Sequence, residues 1–456
     1  MLQINTFSVD KRYTLLAALS VALAGFLFGF DTVVISGANE PIKEIWETSS
    51  WFHGFFIMSM ALWGTVLGAI FGGIPTDKWG RKKTLIWIGV LYFASALGSA
   101  LAPDPYSFSF FRFIGGLGVG ASSVAAPAYL SEISSARNRG KLVALYQFNL
   151  VLGILLAFIS NYLLQGFGGA NDWRYMLGVE AIPAFIYLLL VLGVPHSPRW
   201  LVLKGRIDEA KAILKLMLGD TAQVESTLAD IRSHSDSSSL AKEVLWQKKY
   251  YRPLALAFFI AFFNQLSGIN FVLYYAPVIL EKSGFASSDS LLSSVSIGAV
   301  NLIFTMIGLS LIDRSGRRTL MYIGSFAYVI GLSMIAYGFY SDASPTFSLV
   351  FILVFIAGHA IGQGAVIWVF IAEIFPNAVR AKGQSFGVSV HWVLAALITL
   401  VGEVLIESIA AWIIFAFFAG FMVLQLLFTH FMMPETKGKS LESVEDEVAL
   451  GASPGN

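Results

Sequence analysis

Twelve long runs of mainly apolar residues divide the chain, at 13–37, 52–74, 84–102, 107–131, 141–165, 175–194, 252–282, 289–312, 319–340, 346–371, 383–406 and 411–432. About 20 such residues in a helix cover the hydrocarbon core of a bilayer, whereas a barrel strand needs only ~10. Lipid cannot hydrate a backbone amide, so only helices and closed barrels cross it, and the run length selects helices. With 56% hydrophobic and 13% charged residues, the chain carries more apolar surface than a water-soluble fold could bury. The expected fold class is an all-α membrane protein of twelve transmembrane helices, numbered here span 1 to span 12, with the lipid bilayer as its solvent. Span 1 is too long for a signal-peptide core and is followed by no small-residue cleavage site, so it is expected to stay as an anchor. A net charge of +1 gives no reason to expect nucleic acid, and the absence of cysteine removes disulfide and thiol chemistry.

A charged turn between spans 2 and 3 recurs between spans 8 and 9. Asp77, Gly80 and Arg81 return as Asp313, Gly316 and Arg317. Glu132 and Arg139 in EISSARNRGK return as Glu373 and Arg380 in EIFPNAVRAK, and PHSPRWL at Pro195 is echoed by PETKGKSL at Pro434. Three matches in one order at near-constant spacing imply that the second half duplicates the first. The expected domains are 1–194 and 252–433, each of six helices, joined by an intracellular helical linker at 195–251 and followed by a tail at 434–456. Within the linker, KGRIDEAKAILKLMLGD has the apolar period of an amphipathic helix, with further short helices expected at Val224–Arg232 and Leu240–Lys249 and a flexible joint at SHSDSSS. Cations concentrate in every second connection, among them Lys78, Lys82, Lys83, Arg137, Lys141, Arg314, Arg318 and Lys382, which places both termini in the cytoplasm.

Polar residues inside the spans carry the functional signal. Asp31 and Arg112 sit in strongly apolar surroundings, where a charge costs about 2.5–3.5 kcal/mol on insertion scales, so each needs a partner or water. They can serve each other, either as a fixed brace between spans 1 and 4 or as a titrating pair. Gln147, Asn264, Gln265, Asn270, Tyr274, Asn301, Gln363, Trp368, His391 and Trp392 also fall within spans. Amides pair donors with acceptors in the way a polyol does, and an indole face suits the C–H face of a sugar ring. Gly115, Gly116, Gly118 and Gly120 in span 4, with Gly358, Gly362 and Gly364 in span 10, allow close approach or local unwinding. His359, His391 and His430 lie in apolar spans, but no HExxH, phosphate loop or nucleophile–base pair accompanies them, so neither an enzyme nor a bound cofactor or metal is expected.

These residues give the chain a family resemblance. GFDTVVISGA, GG-x3-D-x2-GRKK, RFIGGLGVG, SPRWL, QLSGINFVLYYAP, DRSGRRTL, WVFIAEIFPNAVRAKG and PETKGKSLE resemble the sugar porters of the major facilitator superfamily, including bacterial xylose/proton symporters and glucose facilitators, over almost the whole length. The resemblance implies the major facilitator fold, two pseudo-symmetric six-helix domains with an intracellular helical bundle, and one monosaccharide site, for a hexose or a pentose, between them. It implies sugar contacts at Gln147, Gln265, Asn270, Asn301 and Trp368, closure by Phe28 and Tyr274, and a pocket completed by Asn264, Gly364, His391 and Trp392. Departures stand at Asn264, at Ala365 where Pro usually follows Gly364, at His391 in place of an amide, and at His196 where the PESPR motif has Glu; Ile154 stands as in the glucose facilitators. Asp31 matches the family's proton symporters, in which Asp replaces the facilitators' Asn, so the expectation is proton-coupled uptake through Asp31 and Arg112, with a facilitator as the alternative. Protons are the coupling ion. Asp77, Arg81, Glu132, Arg139, Asp313, Arg317, Glu373 and Arg380 are expected to form a cytoplasmic gate whose ion pairs join the halves in the outward-facing state. A monomer in a bacterial inner membrane completes the expectation.

Overall fold

The computed structural model describes residues 9–134, 139–218, 220–237, 244–376 and 378–439. Among these residues the regular structure is helical throughout. Eleven helices are long and apolar enough to cross a bilayer, and a bent pair, Ser50–Met58 with Met60–Phe71, makes a twelfth span with a 42° break. Side chains that would be buried in a soluble protein face outward: Leu163, Ile182, Phe326 and Phe417 are each more than half exposed. Such a surface is stable only against lipid.

Helices approach closely where side chains are absent. A Cβ on Gly116 of span 4 (Pro105–Ile133) would lie 1.8 Å from the Ala61 carbonyl oxygen of span 2. Span 4 is continuous through its glycines, so they serve close packing and not unwinding. Unwinding occurs elsewhere. Span 7 breaks at Ser267–Gly268 between Tyr251–Leu266 and Ile269–Tyr274, with Gly268 at φ +80°. Span 10 breaks at Gly362 between Pro345–Ile361 and Gln363–Glu373. Non-helical backbone at membrane depth is tolerated only where protein or water satisfies the freed amides.

The duplicated turn folds the same way twice. Gly80 and Gly316 both adopt φ +92°, which L side chains rarely enter, and each starts the next span. Arg81 pairs with Asp77 at 3.1 Å and Glu132 at 2.8 Å, and Arg317 pairs with Asp313 at 3.2 Å and Glu373 at 2.7 Å. Each arginine also donates to a carbonyl of the turn, Thr76 O at 3.2 Å and Ile312 O at 3.1 Å.

The linker is helical at Pro198–Leu203, Ile207–Leu218 and Thr221–Ser237, around a small core of Trp200, Leu201, Leu214, Val224 and Leu228. Two expectations are corrected here. The helix continues through Ser237, into the stretch expected as a flexible joint, because extending a helix fixes one residue per hydrogen bond gained. The described part of Leu240–Lys249 is not α-helical, and only a single 3-10 turn follows, at Lys248–Tyr250.

One asymmetry between the halves stands out. Glu435 accepts hydrogen bonds from the backbone N–H groups of Arg317 and Arg318, both at 3.0 Å, and so caps span 9. His196 occupies the matching place beside span 3. Its ring stacks on Trp200, and its buried Nδ1 finds no partner. Burial, then the cations Lys82 and Arg206, hold its imidazole below the usual histidine range. The unfolded chain therefore takes up this proton first, and acidification through the ordinary histidine range costs stability. His196→Glu would restore the cap and add an anion to Lys82 and Arg206. It should stabilise the protein by about 1 kcal/mol and remove that acid sensitivity, as read from thermal unfolding in detergent between pH 5.5 and 7.5.

Candidate functional site

Asp31 and Arg112 meet inside the first half. Arg112 Nη1 donates to Asp31 Oδ1 in a short charge-assisted bond, Nη2 donates to the Asp31 carbonyl at 3.1 Å, and the residues are 3% and 2% exposed. Glu180 of span 6, which the sequence reading missed, is buried beside them and interacts with both charges. Its Oε1 and the Arg112 Nε lack hydrogen-bond partners. A second carboxyl group thus lies against the buried ion pair. Tyr274, on the broken part of span 7, lies within electrostatic range of the same pair, so the second half faces it as well.

The polar residues of the second half form a cluster at the break in span 7. Gln265 Nε2 donates to Asn264 Oδ1 at 2.9 Å and reaches the His391 ring nitrogens at 3.2 and 3.3 Å, and Gln265 Oε1 accepts from Asn270 at 2.7 Å. His391 lies edge-on to Trp368 and to Trp392, with ring centroids 4.8 Å apart in both cases. Trp392 meets Phe28 of the first half at 5.6 Å. The result is an arc of aromatic rings bridging the halves beside a patch of amides. Asn264, Gln265, Asn270, Trp368, His391, Trp392 and Phe28 are thus brought together. Gly364 adjoins His359 on span 10, Asn301 accepts from Thr305 at 3.5 Å, and Gln147 is half-buried on span 5.

The four carboxylates of the expected gate pair within their own halves. Glu132 and Glu373 bind Arg81 and Arg317, and Arg380 donates to the Phe375 carbonyl at 3.1 Å; the Arg139 side chain lies outside the described residues. At the opposite end of the bundle the halves are locked together. Lys43 at the end of span 1 bonds Glu403 of span 11 at 2.6 Å and also Glu407, which in turn accepts from Ser50. Glu403 is 1% exposed. A Cβ on Gly54 would lie 2.2 Å from the Leu400 carbonyl oxygen, so backbone meets backbone across the halves here.

The family model of sugar (and other) transporters matches residues 17–448. The chain belongs to that family. It is 32% identical over 475 residues to the D-xylose-proton symporter of Escherichia coli K12, covering 96% of each chain. It is 34% identical over 447 residues to the arabinose-proton symporter of Bacillus subtilis 168, again covering 96% of each. An inward-open structure of the E. coli xylose transporter superposes with a TM-score of 0.85 at 31% identity, over 95% of this chain and 99% of that one. The fold is the major facilitator fold, as expected from sequence.

In this sugar transporter the bundle is closed at the Lys43 end, where charges cross between the halves, while Arg81 and Arg317 at the linker end pair within their own halves. Lys43→Ala would leave Glu403 buried with an uncompensated charge, a state that costs several kcal/mol until the carboxylate is hydrated or protonated. Opening of that end relieves the cost. With spin labels on Trp51→Cys and Ile409→Cys in this cysteine-free chain, Lys43→Ala should raise the long-distance population at least about tenfold over the labelled protein that keeps Lys43.

Proposed function

We propose that the protein is a proton-coupled symporter that imports a monosaccharide by alternating access. The linker end is read as cytoplasmic, which makes the described state inward-facing and sets both termini in the cytoplasm of a bacterial inner membrane. The cation-rich connections support that orientation. The aromatic arc and the amide patch between the halves suit a pyranose, with rings against C–H faces and amides against hydroxyls.

The observation that carries the coupling is the buried Asp31–Arg112 pair with Glu180 against it. Pulling an ionised Asp31 from Arg112 would strand two buried charges, a cost of about 3–5 kcal/mol. A proton on Asp31 removes that cost from the carboxylate, and Glu180 is placed to receive the guanidinium in its stead. The proton thereby selects the state in which the pair is open, and its loss toward the cytoplasm lets the pair re-form. A potential of 100 mV gives about 2.3 kcal/mol per charge moved, which supports roughly fifty-fold accumulation before any pH gradient is counted.

A facilitator would carry the same pocket without using the Asp31 proton. The two readings separate in sealed vesicles. Asp31→Asn should keep sugar counterflow within a few-fold of wild type and lose uphill accumulation altogether. Full accumulation by Asp31→Asn would remove proton coupling through this residue and leave passive transport.

A further inference from the structure

Behind the sugar-facing amides runs a second set of polar side chains that no sugar contact requires. Ser325 on span 9 accepts a hydrogen bond from Gln425 Nε2 of span 12 at 2.8 Å. Gln425 Oε1 accepts from Gln363 Nε2 at 2.9 Å, and Gln363 Oε1 accepts from Asn264 Nδ2 at 3.4 Å, the longest link. The series then continues through Asn264 and Gln265 to Asn270. Ser325, Gln425, Gln363 and Gln265 are fully buried, and Asn264 and Asn270 are 2% and 9% exposed.

Two features make this more than scattered pairing. The first is polarity. In every link the amide oxygen accepts from the next side chain and the amide nitrogen donates to the previous one, so turning over any single amide would set N–H against N–H and O against O. In a buried site each such clash costs about as much as an unmade hydrogen bond, and the series therefore keeps one direction as a unit. The second is position. Gln363 is the first helical residue after the break in span 10, and Asn264 and Asn270 flank the break in span 7. The two unwound segments are thus tied to each other and to spans 9 and 12.

We propose that Gln425 is a positioning residue for the sugar site: acting through Gln363, it fixes which end of Gln265 and Asn270 donates and which accepts. Its terminus in the pocket is Asn270, whose Oδ1 receives no hydrogen bond from the described side chains and is left as an acceptor. Gln265 Nε2, with its two donors held by Asn264 and His391, is committed to the protein. Two places at which the chain departs from the family pattern, Asn264 and His391, are therefore the two that hold Gln265 Nε2. This inference rests on the monosaccharide reading and adds to it a determinant outside the pocket.

The test is a double-mutant cycle on sugar affinity, measured by calorimetry on the full-length protein with D-xylose, L-arabinose and D-glucose as probes. Wild type comes first: no binding of any probe would overturn the monosaccharide reading and this inference with it. With binding established, Gln425→Leu and Asn270→Ala should each weaken the best probe roughly tenfold. The double variant should be no more than about twofold weaker than Asn270→Ala alone, because both changes act on one contact. If Gln425→Leu fails to fold, Ser325→Ala replaces it in the same cycle, with a few-fold loss expected alone and none in the Asn270→Ala background. Additive losses, near a hundredfold for Gln425→Leu with Asn270→Ala, would show that span 12 supports the fold without orienting the pocket. Unchanged affinity in Gln425→Leu would overturn the inference equally.

Discussion

A guanidinium and a carboxylate buried from water at 2% and 3% exposure cannot be separated for nothing, and the rest of the molecule is arranged around that fact. In a medium of low dielectric, the paired state of Asp31 and Arg112 is tolerable and the parted, doubly charged state is not. A protein that must move spans 1 and 4 relative to their surroundings therefore needs a proton, a second anion, or both. Glu180 is a second carboxyl group set against the pair, and Tyr274 of the second half lies near it.

The two ends of the bundle are held by different chemistry. At the linker end, duplicated arginines bind acidic residues of their own half, Arg81 with Glu132 and Arg317 with Glu373, and strap neighbouring spans into rigid units. At the other end Lys43 crosses to Glu403 and Glu407, and backbone approaches backbone at Gly54. Strapped halves joined at the Lys43 end are what a rocking transporter presents in one of its two states. The asymmetry between Glu435 and His196 adds that the halves, though duplicated, are not equally braced.

Much of this was legible in the sequence because lipid imposes so narrow a choice. Span lengths, the doubled Asp-x-x-Gly-Arg turn and the meeting of Asp31 with Arg112 all follow from the cost of bare amides and bare charges in hydrocarbon. Glu180 and Glu403 were equally visible as carboxylates within apolar runs, and the same cost argument applies to them; their partners lie on other spans and are identified only by the fold. The partners of Glu132 and Glu373 were not legible, since only the fold brings Arg81 and Arg317 to them from 51 and 56 residues away. The direction of the amide series through Gln425 is equally hidden, because it depends on which side chains three separate spans bring within 3.5 Å.

The proton is the part of the account on which the rest turns, and counting it is the most direct test. In sealed vesicles clamped at zero membrane potential, adding the transported sugar outside should draw in protons with it, in a ratio near one proton per sugar, seen as alkalinisation of a weakly buffered medium. Sugar entry at a comparable rate with no accompanying alkalinisation would contradict the account.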